Sequence, residues 1–529
     1  MGQGQLWRLT LVLCVVWALS LLYGEMVSYW VPLWSCSWPS LTSSSSSNGG
    51  DQVNVAVIAD PQLMDKTSLN LPPKSLALEA AQFYTDLYMR RSFRSSILPF
   101  KPHVVIFLGD QFDGGPLLSD EEWQESLWRF KNTFYLLKKE ETNIYYLSGN
   151  HDIGYSGVNS RSPKVVSLFE KDFGKRNYRF IAREVEYIAV DAQTLDGPVQ
   201  GKLTSSSWEF VQNISKEVVS RPRILLTHIP LYRADETPCG SYRSSPIINQ
   251  RIRRSDPDQG ITYQNYLSEE TSARLLELIK PILVLSGHDH DQCTVTHSTP
   301  TGAVTEHTLG TVSWQQGNLY PSFMLLSATS IPSWNTTIPP EQAVSTHLCF
   351  LPMQTHIYIW YLFLFVVTLL LLLFWPANGL SCPEPCNRFM SSIGETLRSI
   401  MVSHKEKDED EDCEYEMIWD AEGSMHLVKK ASAVPRTMKT SDNTLTGRGN
   451  VVARPTARKT ATQEGEASVT VDMTADVKVD DIGKSSTFYR SKAGKVIRRF
   501  VRVFRLLVFI AAINLPLYMM LLFKDWNDH

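Results

Sequence analysis

A chain of 529 residues is too long for one compact core, and a formal net charge of -4 leaves no electrostatic footprint for a nucleic-acid partner. Its apolar residues, 43% of the total, are unevenly spread, which points to regions of different character. Residues 1–8 read as a short cytoplasmic N-terminus. Leu9 to Tyr23, "LTLVLCVVWALSLLY", opens an apolar segment, and "MVSYWVPLWSCSW" continues it with the Trp and Tyr of a membrane interface. We therefore place an uncleaved anchor at 9–29; the alternative is a signal peptide cleaved near Gly24. Residues 40–51 are a Ser/Gly linker.

From 52 to 351 short apolar runs alternate with helical stretches. "VNVAVIAD", "HVVIFLGD", "NIYYLSGN", "PRILLTHIP" and "ILVLSGHDH" each read as a buried strand ending in polar residues. "KSLALEAAQFYTDLYMRRSF" and "EEWQESLWRFKNTFYLLKKE" have helical spacing. Such a pattern predicts an α/β domain with its site along the C-terminal edge of the strands. Residues 357–375, "IYIWYLFLFVVTLLLLLFW", are uncharged and about the roughly 20 residues that a bilayer requires. Residues 376–505 form a low-complexity segment with an acidic run, "KEKDEDEDCEYE", and are expected to be largely disordered. Residues 506–523 make a third apolar segment, interrupted by Pro516, and 524–529 close the chain.

The basic stretch "KAGKVIRRFVRVFR" before the third segment places 376–505 in the cytoplasm, and so 52–351 and 524–529 in a lumen. Two sequons, at Asn213 and Asn335, fall in the expected lumenal region as glycosylation candidates. So do Cys36, Cys239, Cys293 and Cys349, enough for one or two disulfides whose pairing the spacing does not give. Cys382 and Cys386 stand just past the second segment, as free thiols or palmitoylation sites.

The strand ends deliver, in order, Asp60 with Gln62, Asp110 with Asp113, Asn150 with His151, His228, and His288 with His290. One such residue is ordinarily a turn former or a helix cap; five sets in succession are a ligand pattern. Carboxylates and neutral imidazoles suit Mn, Fe or Zn, and a bridging carboxylate can pair two ions about 3.5–4 Å apart across a phosphoester.

"ADPQ", "GDQFD", "GNHD", "THIP" and "GHDH" together resemble the calcineurin-like metallophosphoesterase superfamily across the whole 52–351 region. The resemblance implies a β-sandwich flanked by helices, held between transmembrane helices. It implies a first metal held by Asp60, Asp110 and His290, with Asp110 bridging to a second held by Asn150, His228 and His288. His151 would be the general acid, oriented by Asp113. Gln62 stands where the family pattern has histidine; its amide oxygen is a weaker donor, which favours Mn over Zn or Fe as the pair of divalent cofactors. A catalytically dead variant is the competing reading of Gln62.

"GDQFDGG", "GNHDIGY", "HIPLYR" and "YPSFML" further resemble the membrane-anchored branch that trims ethanolamine phosphate from GPI-anchor glycans, the metallophosphoesterase 1 group. That resemblance implies a Cys239–Cys293 disulfide, GPI lipid or GPI-anchored proteins as substrate, and an endoplasmic reticulum or Golgi membrane; the near-neutral charge gives no reason to expect nucleic acid. Other phosphodiesters, or a non-catalytic cargo adaptor, are the alternatives. Arg233 in "LYRADE" is a candidate phosphate contact, with a surface salt bridge as its plainer role.

Overall fold

The computed structural model describes residues 2–41, 52–136, 142–159, 163–254, 260–300, 302–329, 342–375, 415–419, 425–429 and 482–525. The chain divides into two units, one of residues 11–371 with 507–529 and one of residues 1–10 with 372–506. The first unit carries β1 (Gln52–Ile58), β2 (Val104–Phe107), β3 (Asn143–Tyr146), β4 (Tyr178–Ala182), β5 (Val185–Ala189) and β6 (Arg223–Leu226). Then follow β7 (Ile252–Arg254), β8 (Ile261–Gln264), β9 (Leu283–Ser286), β10 (Cys293–Thr299), β11 (Gly302–Thr308), β12 (Ser322–Thr329) and β13 (Val344–Phe350).

Two mixed sheets result, ordered β13-β12-β1-β2-β3 and β10-β11-β9-β6-β5-β4. In the first, β1, β2 and β3 are parallel, with Val55 opposite Val104 and Val104 opposite Asn143. In the second, β5, β6, β9 and β11 are parallel, and β4 and β10 pair antiparallel at the two edges. Side chains alternate between faces along each strand, and both faces are covered. Val55, Val57, Val104 and Ile106 of one sheet meet Tyr187, Ala189, Ile224, Leu226 and Leu285 of the other in a shared core.

The intervening residues face outward into helices. Ala56, Ile58 and Phe107 pack with Met89, Trp123, Phe130 and Phe169 from the helices Leu76–Arg91, Asp120–Thr133 and Pro163–Asp172. Ile188, Leu225 and Val284 pack with Val211, Ile214, Leu275 and Ile279 from Lys202–Ser215 and Glu269–Ile279. The order of layers is helix, sheet, sheet, helix. Each fully buried side chain of this kind stabilises the fold by about 1.5–3 kcal/mol, so the rim of the sheets is a rigid platform. Ser119 fixes the start of Asp120–Thr133 with a capping box, accepting from Glu122 N at 3.3 Å while Glu122 accepts from Ser119 N at 2.8 Å.

Among the described residues, three stretches are helices long and apolar enough to cross a membrane: Gly4–Ser35, Gln354–Phe374 and Gly494–Lys524. The third belongs to a helix that begins at Ile482, so the basic stretch before the apolar segment is helical. Tyr415–Trp419 and Met425–Lys429 pair antiparallel within the segment expected to be largely disordered; most of that segment, including Cys382 and Cys386, lies outside the described residues. In the first unit the first two apolar helices pack together, with Trp17 Nε1 donating to Thr368 Oγ1 at 3.1 Å and Trp360 Nε1 to Ser20 Oγ at 3.2 Å. Disulfides join Cys239 to Cys293 and Cys36 to Cys349.

Candidate metal centre

The parallel strands β1, β2 and β3 of one sheet and β6 and β9 of the other end at one rim. The ends of β1, β2 and β9 turn sharply. Asp60, Gln62, Asp110, His288 and His290 have φ of 49°, 39°, 53°, 72° and 61°, a left-handed conformation that non-glycine residues rarely adopt. The turns are held by Gln62 N donating to the Asp110 carbonyl at 2.8 Å and Gly287 N to the His228 carbonyl at 3.0 Å. Such turns bring short side chains from two sheets inward. A Cβ on Gly149 would stand 2.0 Å from Asp110 Oδ1 and 2.3 Å from Asp110 N, so only glycine admits this approach.

Two ligand-competent sets form, Asp110 with His228 and His288, and Asp60 with Asp110 and His290. They share Asp110, and within each set the candidate ligand atoms lie within 4.8 Å of one another. His228 Nε2 is 3.2 Å from Asp110 Oδ2 and 3.0 Å from Asn150 Oδ1. His151 N donates to Asp110 Oδ1 at 2.8 Å. His228 Nδ1 lies 2.8 Å from the Leu108 carbonyl, which can only accept; a proton is therefore fixed on Nδ1, and Nε2, facing Asp110 and Asn150, is the atom that would exchange its proton for a cation. His288 Nε2 meets the Gln264 carbonyl at 3.0 Å, which frees Nδ1 in the same way.

Asp60, Asp110 and His228 are fully buried. Burial pushes Asp60 up to about 7, against the pull of His228. Burial also opposes the charge on Asp110, but His228 and His151 outweigh it and hold this carboxyl below its usual range. His228 is resisted by burial yet lifted to about 9 by Asp110, whereas burial pushes His288 down to about 3 and His290 to about 4. The centre thus combines the anionic Asp110 with the neutral imidazoles of His288 and His290, while His228 is protonated and would give up a proton to a cation; carboxylates and imidazoles of this kind suit divalent cations. Gln62 Nε2 donates to Asp110 Oδ2 at 3.1 Å, while its Oε1 is buried with no hydrogen-bond partner. A buried carbonyl oxygen without a donor is costly, and a cation is a partner that it lacks. The residues fit two divalent cations.

His151 Nδ1 is 2.5 Å from the Asp113 carbonyl and 3.3 Å from Asp113 Oδ1, with 37% of the His151 side chain exposed. It lines a cleft of about 480 Å³ with Asn150, Tyr155, Tyr263, His288 and His290. Burial opposes its charge, but Asp110 and Asp113 hold the imidazole above its usual pKa. Arg233 does not line this cleft. It is buried, donates to Thr308 Oγ1 at 2.7 Å, lies 3.8 Å from Glu306 and stacks 4.5 Å over Tyr266, so its role is internal packing. Asn213 is exposed on the helix Lys202–Ser215, and Asn335 lies outside the described residues.

Sequence reasoning missed Asp152, although it closes the quoted "GNHD". Its carboxylate accepts from Phe112 N at 3.1 Å and Gly149 N at 2.8 Å, pinning the two ligand loops together. The Leu108 and Gln264 carbonyls were also missed; no side-chain signal marks a backbone acceptor.

Residues 53–292 match the calcineurin-like phosphoesterase family. The chain is 28% identical over 358 residues to cell division control protein 1 of Saccharomyces cerevisiae, covering 65% of this chain and 70% of that protein. It is 27% identical to the metallophosphoesterase 1 homolog of Drosophila melanogaster over 65% of this chain and 86% of that one. Identity to metallophosphoesterase 1 of Gallus gallus is 27%, over 64% and 83%.

Proposed function

This chain is a calcineurin-like metallophosphoesterase, and we propose that its reaction is removal of ethanolamine phosphate from a mannose of membrane-linked GPI anchors. The observation that carries the hydrolytic part is the pair of ligand sets meeting at Asp110. On this reading Asp60, Gln62, Asp110 and His290 hold the first cation, and Asp110, Asn150, His228 and His288 the second. The bound cations, Mn first and Zn or Fe as alternatives, supply Lewis acidity to the phosphoryl oxygens and acidify water. His151 then delivers a proton to the departing sugar oxygen, and Asp113 fixes the imidazole for that transfer through both its carbonyl and its carboxylate. Support for the substrate is the extended likeness to metallophosphoesterase 1 proteins, together with the "GDQFDGG" and "GNHDIGY" motifs.

The same reading makes the protein a multi-pass membrane enzyme of the endoplasmic reticulum or Golgi with the 52–351 domain in the lumen. A retained first helix is favoured by its partners: Glu25 at its end forms a buried 2.6 Å ion pair with Arg91 of the domain. The test is mass spectrometry of GPI glycans from cells lacking the protein, restored with wild type or Asp110→Asn. Persistence of an extra ethanolamine phosphate in the null, removed by wild type alone, is expected. Equal rescue by Asp110→Asn would favour a cargo adaptor, and unchanged glycans would move the substrate to another phosphodiester.

A further inference from the structure

A second cavity, of about 650 Å³, lies beside the metal centre. Asp113, which positions His151, forms part of its wall, and so does Gln315, whose Nε2 approaches the Gln62 carbonyl at 3.4 Å. The opposite wall comes from helices apolar enough to cross a membrane, through Tyr358 of Gln354–Phe374 and Tyr518 of Ile482–Lys524. Between them stand Trp314 and Tyr84. Trp314 and Tyr84 each meet the Tyr358 ring edge-on, at 5.7 Å and 6.4 Å, and Tyr518 Oη donates to Tyr84 Oη at 3.4 Å. A run of aromatic rings therefore leads from the catalytic rim to the ends of two apolar helices.

The chemistry of the lining selects a ligand. Beside the rings, the lining carries the uncharged polar side chains of Ser68, Thr85, Gln315 and Gln316 and the tyrosine hydroxyls. An acyl chain would offer these groups no partner, at a cost. An anion would find no Lys or Arg among the lining residues, and would face the Asp113 carboxylate. Aromatic rings combined with uncharged amide and hydroxyl groups suit a neutral polyhydroxylated ligand, with C–H surfaces over the rings and hydroxyls to the polar atoms. We propose that this cavity is a glycan subsite, which holds a sugar of a membrane-linked substrate while its phosphodiester lies at the metal centre. The identity of that glycan as a GPI mannose rests on the proposed function; the polyhydroxyl chemistry rests on the lining.

Binding is measured directly, apart from turnover. Full-length protein in a polyoxyethylene detergent, which presents no sugar of its own, is titrated with a soluble mannose trisaccharide by saturation-transfer difference NMR. Wild type is expected to transfer saturation to the sugar protons, and Trp314→Ala to raise the Kd about tenfold by loss of a ring from the wall. Hydrolysis of bis(p-nitrophenyl) phosphate by the same samples reports whether the metal centre has stayed folded. Tyr358→Phe, which keeps the ring and deletes one hydroxyl, gives a second and milder loss should Trp314→Ala unfold. No transfer from wild type, or equal Kd in wild type and a folded Trp314→Ala, overturns the subsite. Glycan binding without GPI turnover would sink the GPI reading and leave the subsite standing; GPI turnover without glycan binding would do the reverse.

Discussion

Gln62 sits fully buried, with φ of 39°, one amide atom on Asp110 and the other without a partner. An imidazole at this position would be a stronger nitrogen donor for zinc. Gln62→His is therefore expected to keep diester hydrolysis and to shift the preferred ion from Mn towards Zn, as read by activity of the chelated enzyme restored with each metal. Loss of activity with every metal would contradict it. Gly149→Ala would force a Cβ into Asp110 and displace the shared carboxylate, with a fall in kcat/KM of about 100-fold or more, measurable on a soluble diester. Asp60, Asp110, Asn150 and the histidines were legible because each directly follows an apolar run. Asp152 was in view yet unread, since its work is to bind amides of two loops that meet only after folding. Arg233 was misplaced because a sequence gives no sign that Glu306 and Tyr266 lie beside it.

At the scale of elements, the strands that end in candidate ligands were readable because β2, β6 and β9 are buried throughout and β1 nearly so, and β1, β2, β3, β6 and β9 stand where the apolar runs stand. β12 and β13 were not read, because they carry no chemistry at their ends. The helix expected over Glu121–Glu140 is observed as Asp120–Thr133. Least legible was Arg91, at the end of a helix where a basic residue is ordinary. It binds Glu25 at 2.6 Å, Asp525 at 3.0 Å and the Leu521 carbonyl at 2.6 Å, tying the ends of the first and third apolar helices to the domain. Breaking a buried pair leaves one charge uncompensated, so Arg91→Met is expected to cost about 3–5 kcal/mol and lower the melting temperature in detergent. An unchanged melting curve would mean that these two helices are held elsewhere. The part of the third helix from Leu507 onward, unexplained by the sequence, belongs to the same unit as the two sheets, which it meets through this residue.

Across the whole molecule, the Cys36–Cys349 bond ties the segment after the first apolar helix to β13, ahead of the second. It closes a long stretch of chain, and Cys349→Ser is expected to destabilise the domain by about 2–5 kcal/mol, seen as a lower melting temperature that reductant no longer changes further at this bond. Its pairing was hidden because Cys36 and Cys349 are 313 residues apart and nothing local marks them as neighbours. The central claim is that two cations share Asp110 at the junction of the two sheets. It is tested most directly by elemental analysis of the purified full-length protein, alongside hydrolysis of bis(p-nitrophenyl) phosphate. Two divalent ions per chain in wild type, fewer in Asp110→Asn, and loss of hydrolysis in step with loss of metal are the results predicted. Two ions retained by Asp110→Asn, or full hydrolysis by metal-free wild type, would contradict the account.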